Sequence, residues 1–398
     1  LSAPSLNAPA DSDDATAVTY TISSINANAT KVIFDAQSSN FTYGSVGSGS
    51  GSKVGNTVEI TGWSGTSVTV TLTYTTAATY SNRANVTSTS ATYTDSAWSS
   101  TDSIIISASY AFQGSNYGFT AGGYAGGTQN VIDKFAFSSN TTATDHGDIS
   151  VSRYLVAGQT STTDGYTSGG HTPGGVNYDT IDKFSFTSNT TAADHGDLAI
   201  TVRGLGGSSS QTHGFTLSGH SGAYVNTINK FAFSSNTTAS DHGDLSQTRG
   251  FVAGHSSSDY GFASAGNVAP VSDTIDRFNY ASNTTGTDWG NLTVAREQAG
   301  GCSSSTDGFT SGGYSGGSYN TIDKFSFTSN TTAADHGDIS VARNHLAGLS
   351  ETNNGFNAGG YSGANSNVID KFSYSSNTTA ADHGDISVAR SALAGSQY

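Results

Sequence analysis

Residues Gly308–Arg343 read GFTSGGYSGGSYNTIDKFSFTSNTTAADHGDISVAR, and close copies of this stretch occur six times in the chain. The aspartate of its IDKF segment, or the asparagine that replaces it once, marks the copies at Asp133, Asp182, Asn229, Asp276, Asp323 and Asp370. These markers are 49, 47, 47, 47 and 47 residues apart. A regular period of about 20 to 50 residues indicates a repeat architecture.

The composition favours an all-β fold. Only 11% of the 398 residues are charged, 49 are glycine, and 10% are aromatic. Abundant glycine, threonine and aromatic residues suit short strands joined by tight turns rather than helices. The aromatic residues recur in fixed register, which argues against the disorder that so much serine and glycine would otherwise suggest.

The charge makes some partners poor candidates. The formal net charge is −15, which disfavours nucleic acid and anionic membrane surfaces. Twelve of the 15 basic residues occupy repeat positions, which leaves no basic patch: Lys134, Lys183, Lys230, Arg277, Lys324, Lys371, Arg153, Arg203, Arg249, Arg296, Arg343 and Arg390. We expect no membrane insertion, because no apolar run approaches the ~20 residues of a transmembrane helix.

Single residues add two further expectations. Cys302 is the one cysteine, so the chain is not a disulfide scaffold. The sequence begins at Leu1 and contains no methionine, which predicts processing or trimming upstream.

The region before the repeats predicts a separate domain. Residues 1–16 are rich in Pro, Ala and Asp and suggest a linker or arm, and Gly44–Gly55 suggests a Gly/Ser-rich loop. Seven apolar/polar alternations predict strands at Val18–Ser24, Lys31–Asp35, Phe41–Val46, Thr57–Trp63, Ser67–Thr75, Ala84–Thr94 and Ser103–Ala111. We therefore predict an immunoglobulin-like β-sandwich over 17–113, acting as a docking or spacer module.

Each repeat has the content of one propeller blade. In the last copy, strand-like segments fall at Asn344–Leu349, Gly355–Tyr361, Val368–Tyr374 and Gly384–Val388. Four strands in about 47 residues match a single blade of a β-propeller.

The repeats resemble kelch repeats in their glycine pair, their Tyr/Phe-containing third strand and their final Arg, and they depart from them at the Trp position, where His is usual. A glycine pair ends the second strand in four copies, as at Gly312–Gly313, and becomes Ser218–Gly219 and Ala265–Gly266 in the other two. An Arg follows the fourth strand. The kelch Trp position holds His146, His195, His242, Trp289, His336 and His383. The resemblance covers residues 118–398 and implies a propeller over 114–398.

The two ends of the repeat region predict how the propeller closes. Ser391–Tyr398 resembles a first strand with nothing after it, whereas Gly118–Tyr124 is a second strand without a clear first strand. Pairing them would complete a sixth blade and remove an open sheet edge. The predicted fold is therefore all-β: a sandwich followed by a six-bladed propeller closed by the C-terminal strand.

Two recurring motifs have both a functional and a structural interpretation. Asp-His-Gly-Asp could bind a metal, but Trp289 replaces the histidine in one copy, which favours ring packing and no metal site. Asn-Thr-Thr, at Asn140 and its five equivalents, is formally a glycan acceptor, but ordinary turn chemistry is favoured. Separately, the IDKF aspartate is expected to pair with the repeat arginine, and Asn229 suggests that hydrogen bonding matters more than charge there.

Enzymatic interpretations have little support. The chain has three glutamates, Glu59, Glu297 and Glu351, and no distinguished carboxylate pair of the kind a glycosidase needs. Ser304–Thr310 only partly resembles a sialidase Asp box, and Cys302 alone is slight support for a kelch-type copper oxidase. We expect no catalytic residues and no cofactor.

The differences between the copies are the better guide to function. The residue after the glycine pair is Tyr124, His171, His220, Asn267, Tyr314 or Tyr361, and the following loop also varies. In kelch propellers the loops that join the second and third strands, together with those that join successive blades, line one face and often bind ligands, so the resemblance implies such a face here. Aromatic, amide and hydroxyl groups suit sugars and neutral polar ligands. The alternative is simple turn variation.

The expected function is a non-enzymatic virion or extracellular surface protein. The repeats, with their IDKF, SNTT, HGD and ISVAR segments, resemble in sequence those of marine bacteriophage structural proteins, particularly tail or head fibres. That resemblance implies a sandwich that binds other virion proteins and a propeller that attaches to host glycans or receptors. The alternatives are a secreted bacterial surface or matrix protein that binds glycan or assembles with itself, and a propeller glycoside hydrolase. Further copies of the chain, in a homo-oligomer, are among the expected partners.

Overall fold

The computed structural model describes residues 1–7, 12–13, 17–38, 41–74, 78–88, 95–100, 102–107 and 113–398. The chain divides into two compact units, Leu1–Ser109 and Tyr110–Tyr398, whereas the sequence predicted a boundary between residues 113 and 114. In the described ranges every regular secondary-structure element is a β-strand. They contain no helix that is long and apolar enough to span a bilayer.

The first unit consists of two packed sheets. Its strands are β1 (Ser5–Asn7), β2 (Ser12–Asp13), β3 (Ala17–Ser23), β4 (Lys31–Asp35), β5 (Phe41–Val46), β6 (Ser50–Val54), β7 (Thr57–Thr61), β8 (Val68–Tyr74), β9 (Ala78–Thr87) and β10 (Asp102–Ser107). One sheet has the order β1-β3-β8-β5 and the other β2-β10-β9-β4-β7-β6. Alternate residues such as Tyr20 on β3 and Phe34 on β4 are fully buried in one shared core, as period-two alternation predicts.

Three predictions for this unit are corrected. The expected arm over residues 1–16 contributes β1 and β2, because Leu6 pairs opposite Ile22 and packs on the core. The expected loop Gly44–Gly55 contains β6, which pairs with β7; its side chains are mostly exposed, so it lacks an apolar alternation. The strand predicted at Ala84–Thr94 is β9, which begins earlier, and residues 89–94 lie outside the described residues.

The second unit consists of six four-stranded antiparallel sheets. Its strands are β11 (Tyr117–Ala121), β12 (Val131–Ala136), β13 (Thr144–Asp148), β14 (Ala157–Thr160), β15 (Asp164–Ser168), β16 (Thr180–Ser185), β17 (Ala193–Asp197), β18 (Gly206–Ser209), β19 (His213–His220), β20 (Tyr224–Ala232), β21 (Ser240–Asp244), β22 (Ala253–Ser256), β23 (Tyr260–Ser264), β24 (Thr274–Asn279), β25 (Thr287–Asn291), β26 (Gly300–Ser303), β27 (Asp307–Ser311), β28 (Thr321–Ser326), β29 (Ala334–Asp338), β30 (Ala347–Ser350), β31 (Asn354–Ala358), β32 (Val368–Ser373), β33 (Ala381–Asp385) and β34 (Ala394–Gln397). Five sheets take their strands in chain order, as in β14-β15-β16-β17. The predicted fourth strand Gly384–Val388 is instead β33, because the DHGD segment itself pairs with the third strand through a bulge.

The sixth sheet joins the two ends of the unit. Its order is β13-β12-β11-β34, with Gly118 opposite Gln397 and Ala121 opposite Ala394. The predicted pairing of the C-terminal strand with the first repeat is confirmed. The first strands β14, β18, β22, β26, β30 and β34 contact one another in that cyclic order, and β34 contacts β14. The sheets therefore have a propeller-like arrangement about a central axis.

Glycines allow the first strands to meet at the axis. Each first strand has one glycine whose added Cβ would overlap the carbonyl oxygen of the equivalent glycine on the preceding first strand of the ring: Gly158, Gly207, Gly254, Gly301, Gly348 and Gly395. The cavity that they line with neighbouring polar residues measures about 50 Å³. A water molecule occupies about 30 Å³ in the liquid, so the axis has room for very little besides water.

Two hydrogen-bonded rings bracket these glycines. On one side, Leu155, Gly204, Phe251, Gln298, His345 and Ala392 each donate a backbone N–H to the carbonyl of the equivalent residue on the neighbouring sheet, at 2.6 to 3.0 Å. All six have φ between 53° and 61°. On the other side, the amides of Thr160, Ser209, Ser256, Ser303, Ser350 and Gln397 each donate to the side-chain oxygen of the next member. Both rings close, so each sheet is bonded to two neighbours.

Buried ion pairs join successive sheets. The repeat arginine of one copy meets the IDKF aspartate of the next copy at 2.8 to 3.0 Å: Arg153–Asp182, Arg249–Asp276, Arg296–Asp323, Arg343–Asp370 and Arg390–Asp133. The side chains are at most 1% exposed. The predicted pairing is confirmed in five of the six positions.

The sixth position corrects the assignment of Arg203. Val202, buried to 1% exposure, occupies the arginine position, since its Cγ2 faces Gly219 where Arg153 Cδ faces Gly170. Its neighbour across the sheets is Asn229, whose Oδ1 is buried without a hydrogen-bond partner. Oδ1 of Asp182 and Oδ1 of Asp276 are likewise without a partner, so this atom does not test the expectation that hydrogen bonding matters more than charge at Asn229, which stays a prediction. The arginine and the aspartate are therefore both replaced, by Val202 and Asn229. Either charge alone would be buried without compensation.

Candidate binding face

The residues that follow the glycine pair lie at equivalent positions at one end of the six sheets. Each forms an isolated backbone bridge with the connection from the preceding copy: Tyr124 with Ser391, His171 with Tyr154, His220 with Arg203, Asn267 with Gly250, Tyr314 with Glu297, and Tyr361 with Asn344. These twelve residues and the loops after the glycine pairs are called the variable face here. The Asn-Thr-Thr turns, between third and fourth strands, lie at the opposite end of the sheets.

The sequence predicted the connections between copies on this face but singled out none of their residues. The six residues of the connections, Tyr154, Arg203, Gly250, Glu297, Asn344 and Ser391, differ in every copy. Each lies directly after the buried arginine position. That adjacency was a usable signal, but the one-residue shift at Val202–Arg203 concealed it.

Arg203 is held in place by a histidine. Its Nη1 lies 2.9 Å from His171 Nε2, and His171 Nδ1 lies 2.8 Å from Asn177 Oδ1. Since an amide oxygen only accepts, Nδ1 carries the proton and Nε2 accepts from the guanidinium. Asn177 in turn donates to the backbone oxygen of His220. The predicted residues His171 and His220 are therefore connected to Arg203 through this chain of bonds.

Glu297, which lies two sheets away from Arg203, carries the opposite charge. Asn267 Nδ2 donates to Glu297 Oε2 at 2.9 Å, and burial raises the pKa of Glu297, with the Asn267 bond opposing that effect. Between the two charged residues, Tyr224 lies over Gly250, where an added Cβ would be 2.9 Å from Tyr224 Cδ1. Burial, and then the Glu297 charge, raise the pKa of Tyr224, while Arg203 lowers it. We call this part of the variable face, from His171 to Glu297, the charged half.

The other part of the variable face is aromatic. Tyr314 and Tyr361 are 38% and 43% exposed, and Tyr124 is half-buried, with its ring centroid 5.4 Å from that of Tyr154. They follow β27, β31 and β11, which belong to three consecutive sheets of the ring. We call Tyr314, Tyr361 and Tyr124 the tyrosine arc.

The axis opens onto this face through a shallow depression. It measures about 70 Å³ and is lined by the ring that contains Leu155, Phe251, Gln298 and His345. Burial lowers the pKa of His345 to about 4, so this histidine is neutral at physiological pH. Its Nδ1 lies 2.9 Å from Asn344 Oδ1. The depression is too small for a sugar ring, so a ligand of that size would lie across the loops.

The Asp-His-Gly-Asp motif packs between sheets. His146 Nε2 donates to the backbone oxygen of Ser185 at 2.8 Å, and in the exceptional copy Trp289 Nε1 donates to Ser326 in the same way. Rings of both kinds also contact the buried phenylalanines, as His146 does Phe119. In the part of the chain that the structure describes, no group of three or more His, Cys, Asp or Glu side chains could hold a metal.

The asparagines of the Asn-Thr-Thr turns are engaged within the protein. Asn140 Nδ2 donates to the backbone oxygen of Asp382 on the preceding sheet at 3.2 Å, and the other five asparagines make the equivalent bond. A glycan on Nδ2 would compete with this contact. The turns therefore have a structural use that does not depend on modification.

The thiol of Cys302 is too deeply buried to react with reagents in solution. It is 1% exposed, and burial raises the pKa of its thiol to about 12. Its Sγ lies 3.4 Å from the backbone oxygen of Phe356, where it acts as a small core residue.

Comparisons with known proteins agree with the fold and do not name a family. No family model matches the chain, and no curated protein matches it. Among solved structures, that of YjhT, a β-propeller-type protein, matches with a TM-score of 0.52 and 10% identity, over 67% of this chain and 99% of that chain. At such low identity the likeness concerns the fold alone. The chain is thus an all-β protein with a propeller-like second unit.

Proposed function

We propose that the chain is a non-enzymatic surface protein that displays a six-bladed, kelch-like propeller and uses its variable face to attach to host-surface glycans or proteins. We further propose that the first unit, as an immunoglobulin-like sandwich, docks onto other structural proteins of a virion or an extracellular surface. The resemblance of the repeats to kelch repeats supports the propeller. The similarity of their sequence to phage fibre proteins supports a place on a virion surface.

One observation carries the proposal. The copies are closely similar in the second, third and fourth strands and in five of the six ion pairs, whereas many of their differences collect on the variable face and in the adjoining backbone ring through Leu155. Packing alone would not favour Tyr, Arg, Gly, Glu, Asn and Ser at one repeated position. Differences that collect in loops on a rigid scaffold are typical of recognition surfaces.

The test is binding of the full-length chain to intact cells of a host panel and to a glycan array. One variant changes Tyr124, Tyr314 and Tyr361 to Ala. The matched control changes three exposed threonines of the opposite end, Thr141, Thr190 and Thr331, to Ala. We expect saturable binding that the tyrosine variant loses and the threonine variant keeps.

Two results would contradict the proposal. Equal binding by both variants would place recognition away from the variable face. Absence of binding by the unchanged chain, together with ordered self-assembly, would favour the alternative of a secreted bacterial surface or matrix protein.

A further inference from the structure

We infer that the tyrosine arc is a set of three equivalent subsites for an uncharged, linear polysaccharide, one subsite on each of three consecutive sheets. This inference rests on the proposed function and names the class of ligand and the half of the variable face that takes it. The inference is narrower than recognition by the whole variable face, because the charged half is assigned no part in binding the polysaccharide.

The three loops of the arc have the same conformation. In each, the residue after the tyrosine donates its amide to the backbone oxygen two residues further on, at 2.9 to 3.0 Å, as Ser315 does to Gly317. In each, the tyrosine also forms a bridge with the residue four positions later: Thr128, Ser318 or Asn365. The loop after His171 is different, since its bridge is to Asn177, six positions later. The loops after His220 and Asn267 make the same two contacts, with amide bonds from Ser221 to Ala223 and from Val268 to Pro270 and with the pairs His220–Tyr224 and Asn267–Val271. The arc is therefore set apart by its three successive tyrosines on this shared backbone.

Each subsite combines an aromatic ring with hydroxyl or amide groups and carries no charge. Residues 124–130, 314–320 and 361–367 contain no Asp, Glu, Lys or Arg. Asn344 Nδ2 donates to Ser318 Oγ at 2.9 Å, and Asn365 Nδ2 donates to the backbone oxygen of Tyr124 at 2.9 Å. These bonds run from one loop to the next, so the polar groups between the tyrosines are held in position.

The neighbouring acid is turned away from the arc. Glu297 pairs with Tyr314 through the backbone, but its carboxylate is bonded to Asn267 on the sheet before. With a net charge of −15 and no cation in the three loops, an anionic polymer would be repelled. Aromatic faces flanked by hydroxyl and amide groups suit the mixed apolar and polar surface of a neutral sugar.

Equivalent subsites at a fixed angular interval suit a ligand that is itself a repeat. A single sugar could occupy one subsite, whereas a longer chain could occupy all three and gain from each. Affinity should therefore rise with the length of the oligosaccharide until the arc is spanned, because later contacts are made within one complex.

The experiment measures affinity of the full-length chain for uncharged gluco-, manno-, galacto- and xylo-oligosaccharides of one to eight residues. For at least one series we expect affinity to rise with length. Each single Tyr→Ala change in the arc should lower affinity for the long oligosaccharide by about three- to tenfold, and the triple change by roughly 100-fold. The corresponding Tyr→Phe changes should keep binding, because the ring face is retained. Tyr224→Ala, on the charged half of the same face, is the matched control and should leave binding unchanged.

The outcomes separate this inference from the proposed function. Equal affinity for short and long oligosaccharides, or equal loss in Tyr224→Ala and the arc variants, would overturn the tyrosine arc as the site. If the chain binds cells through the variable face but no neutral oligosaccharide, the arc inference fails and attachment stands. If it binds neither cells nor any glycan, both fail.

Discussion

Arg390 and Asp133 are 257 residues apart, and the Arg390 Nη1 and Asp133 Oδ2 atoms meet at 2.8 Å with neither side chain exposed. This ion pair joins the last repeat to the first, in the same way that four other pairs join successive sheets. Asp133 Oδ2 also accepts the backbone N–H of Ser387, and Arg390 Nη2 donates to Thr120. The closure of the ring thus uses the same contacts as its interior.

We predict that this pair is strongly coupled. Arg390→Val alone leaves a buried carboxylate uncompensated and should cost about 3–5 kcal/mol of unfolding free energy, as should Asp133→Asn alone. The double variant reproduces the natural combination of Val202 and Asn229 and should recover most of that loss. Calorimetry of the full-length chain measures all three. Additive losses in the double variant would contradict the coupling.

We predict that Ala265→Gly stabilises the protein and Gly312→Ala destabilises it. Ala265 has φ 64° where four copies have a glycine, a conformation that costs an L-residue about 1–2 kcal/mol. Part of the gain is offset by the entropy of glycine in the unfolded chain. In Gly312→Ala the new Cβ would lie 2.5 Å from the Arg343 backbone oxygen. Thermal unfolding should shift upward for the first variant and downward for the second, and shifts of the same sign would contradict the strain argument.

We predict that His255 makes stability depend on pH. It is fully buried between Cys302 and Ser264, and burial lowers its pKa to about 4 from the usual value of about 6.5. Between these values the unfolded chain binds more protons, so stability is complete above about pH 6.5 and falls as the pH drops toward 4.

The matched control for His255 comes from the repeat itself. Gln159 occupies the equivalent position on β14 and bonds to Ser168 and Phe215, so His255→Gln should fold with similar contacts. Urea denaturation between pH 7 and 4 should show a shallower loss of stability in this variant than in the unchanged chain. Parallel pH profiles would exclude His255 as the source.

We predict that the axial glycines are indispensable. Gly348→Ala would force a Cβ onto the backbone oxygen of Gly301, and backbone at the centre of a closed ring has little room to move. The variant should lose several kcal/mol or fail to fold. Gly317→Ala, whose Cβ would meet nothing within 4 Å, is the control and should be neutral or slightly stabilising. Tolerance of Gly348→Ala in thermal unfolding would contradict the close approach.

The sequence predicted the repeats, their four strands and the closing strand because all three depend on local, periodic patterns. It also predicted the Arg–Asp pair, since both residues recur once per copy. It failed at Val202, because Arg203 lies one residue along and looks like the repeat arginine. The backbone ring through Leu155 and Phe251 was not predictable, since positive φ in such residues has no sequence signal comparable to glycine.

The candidate site was predicted in part. The six residues after the glycine pair do lie at equivalent positions on one face, because sheet topology places those loops together. Contacts between sheets, such as Arg203 with His171 and Tyr154 with Tyr124, depend on how neighbouring copies are rotated about the axis. Alignment of single repeats does not contain that information, so the division into a charged half and a tyrosine arc came only from the structure.

The most direct test of ligand binding on the variable face is amide hydrogen exchange of the full-length chain, with and without the glycan that it binds most tightly on the array. We predict slower exchange in residues 124–128, 314–318 and 361–365 when the glycan is bound. The Asn-Thr-Thr turns at 138–142 and 375–379 should exchange at the same rate in both samples. Protection confined to those turns or to the first unit would contradict the account.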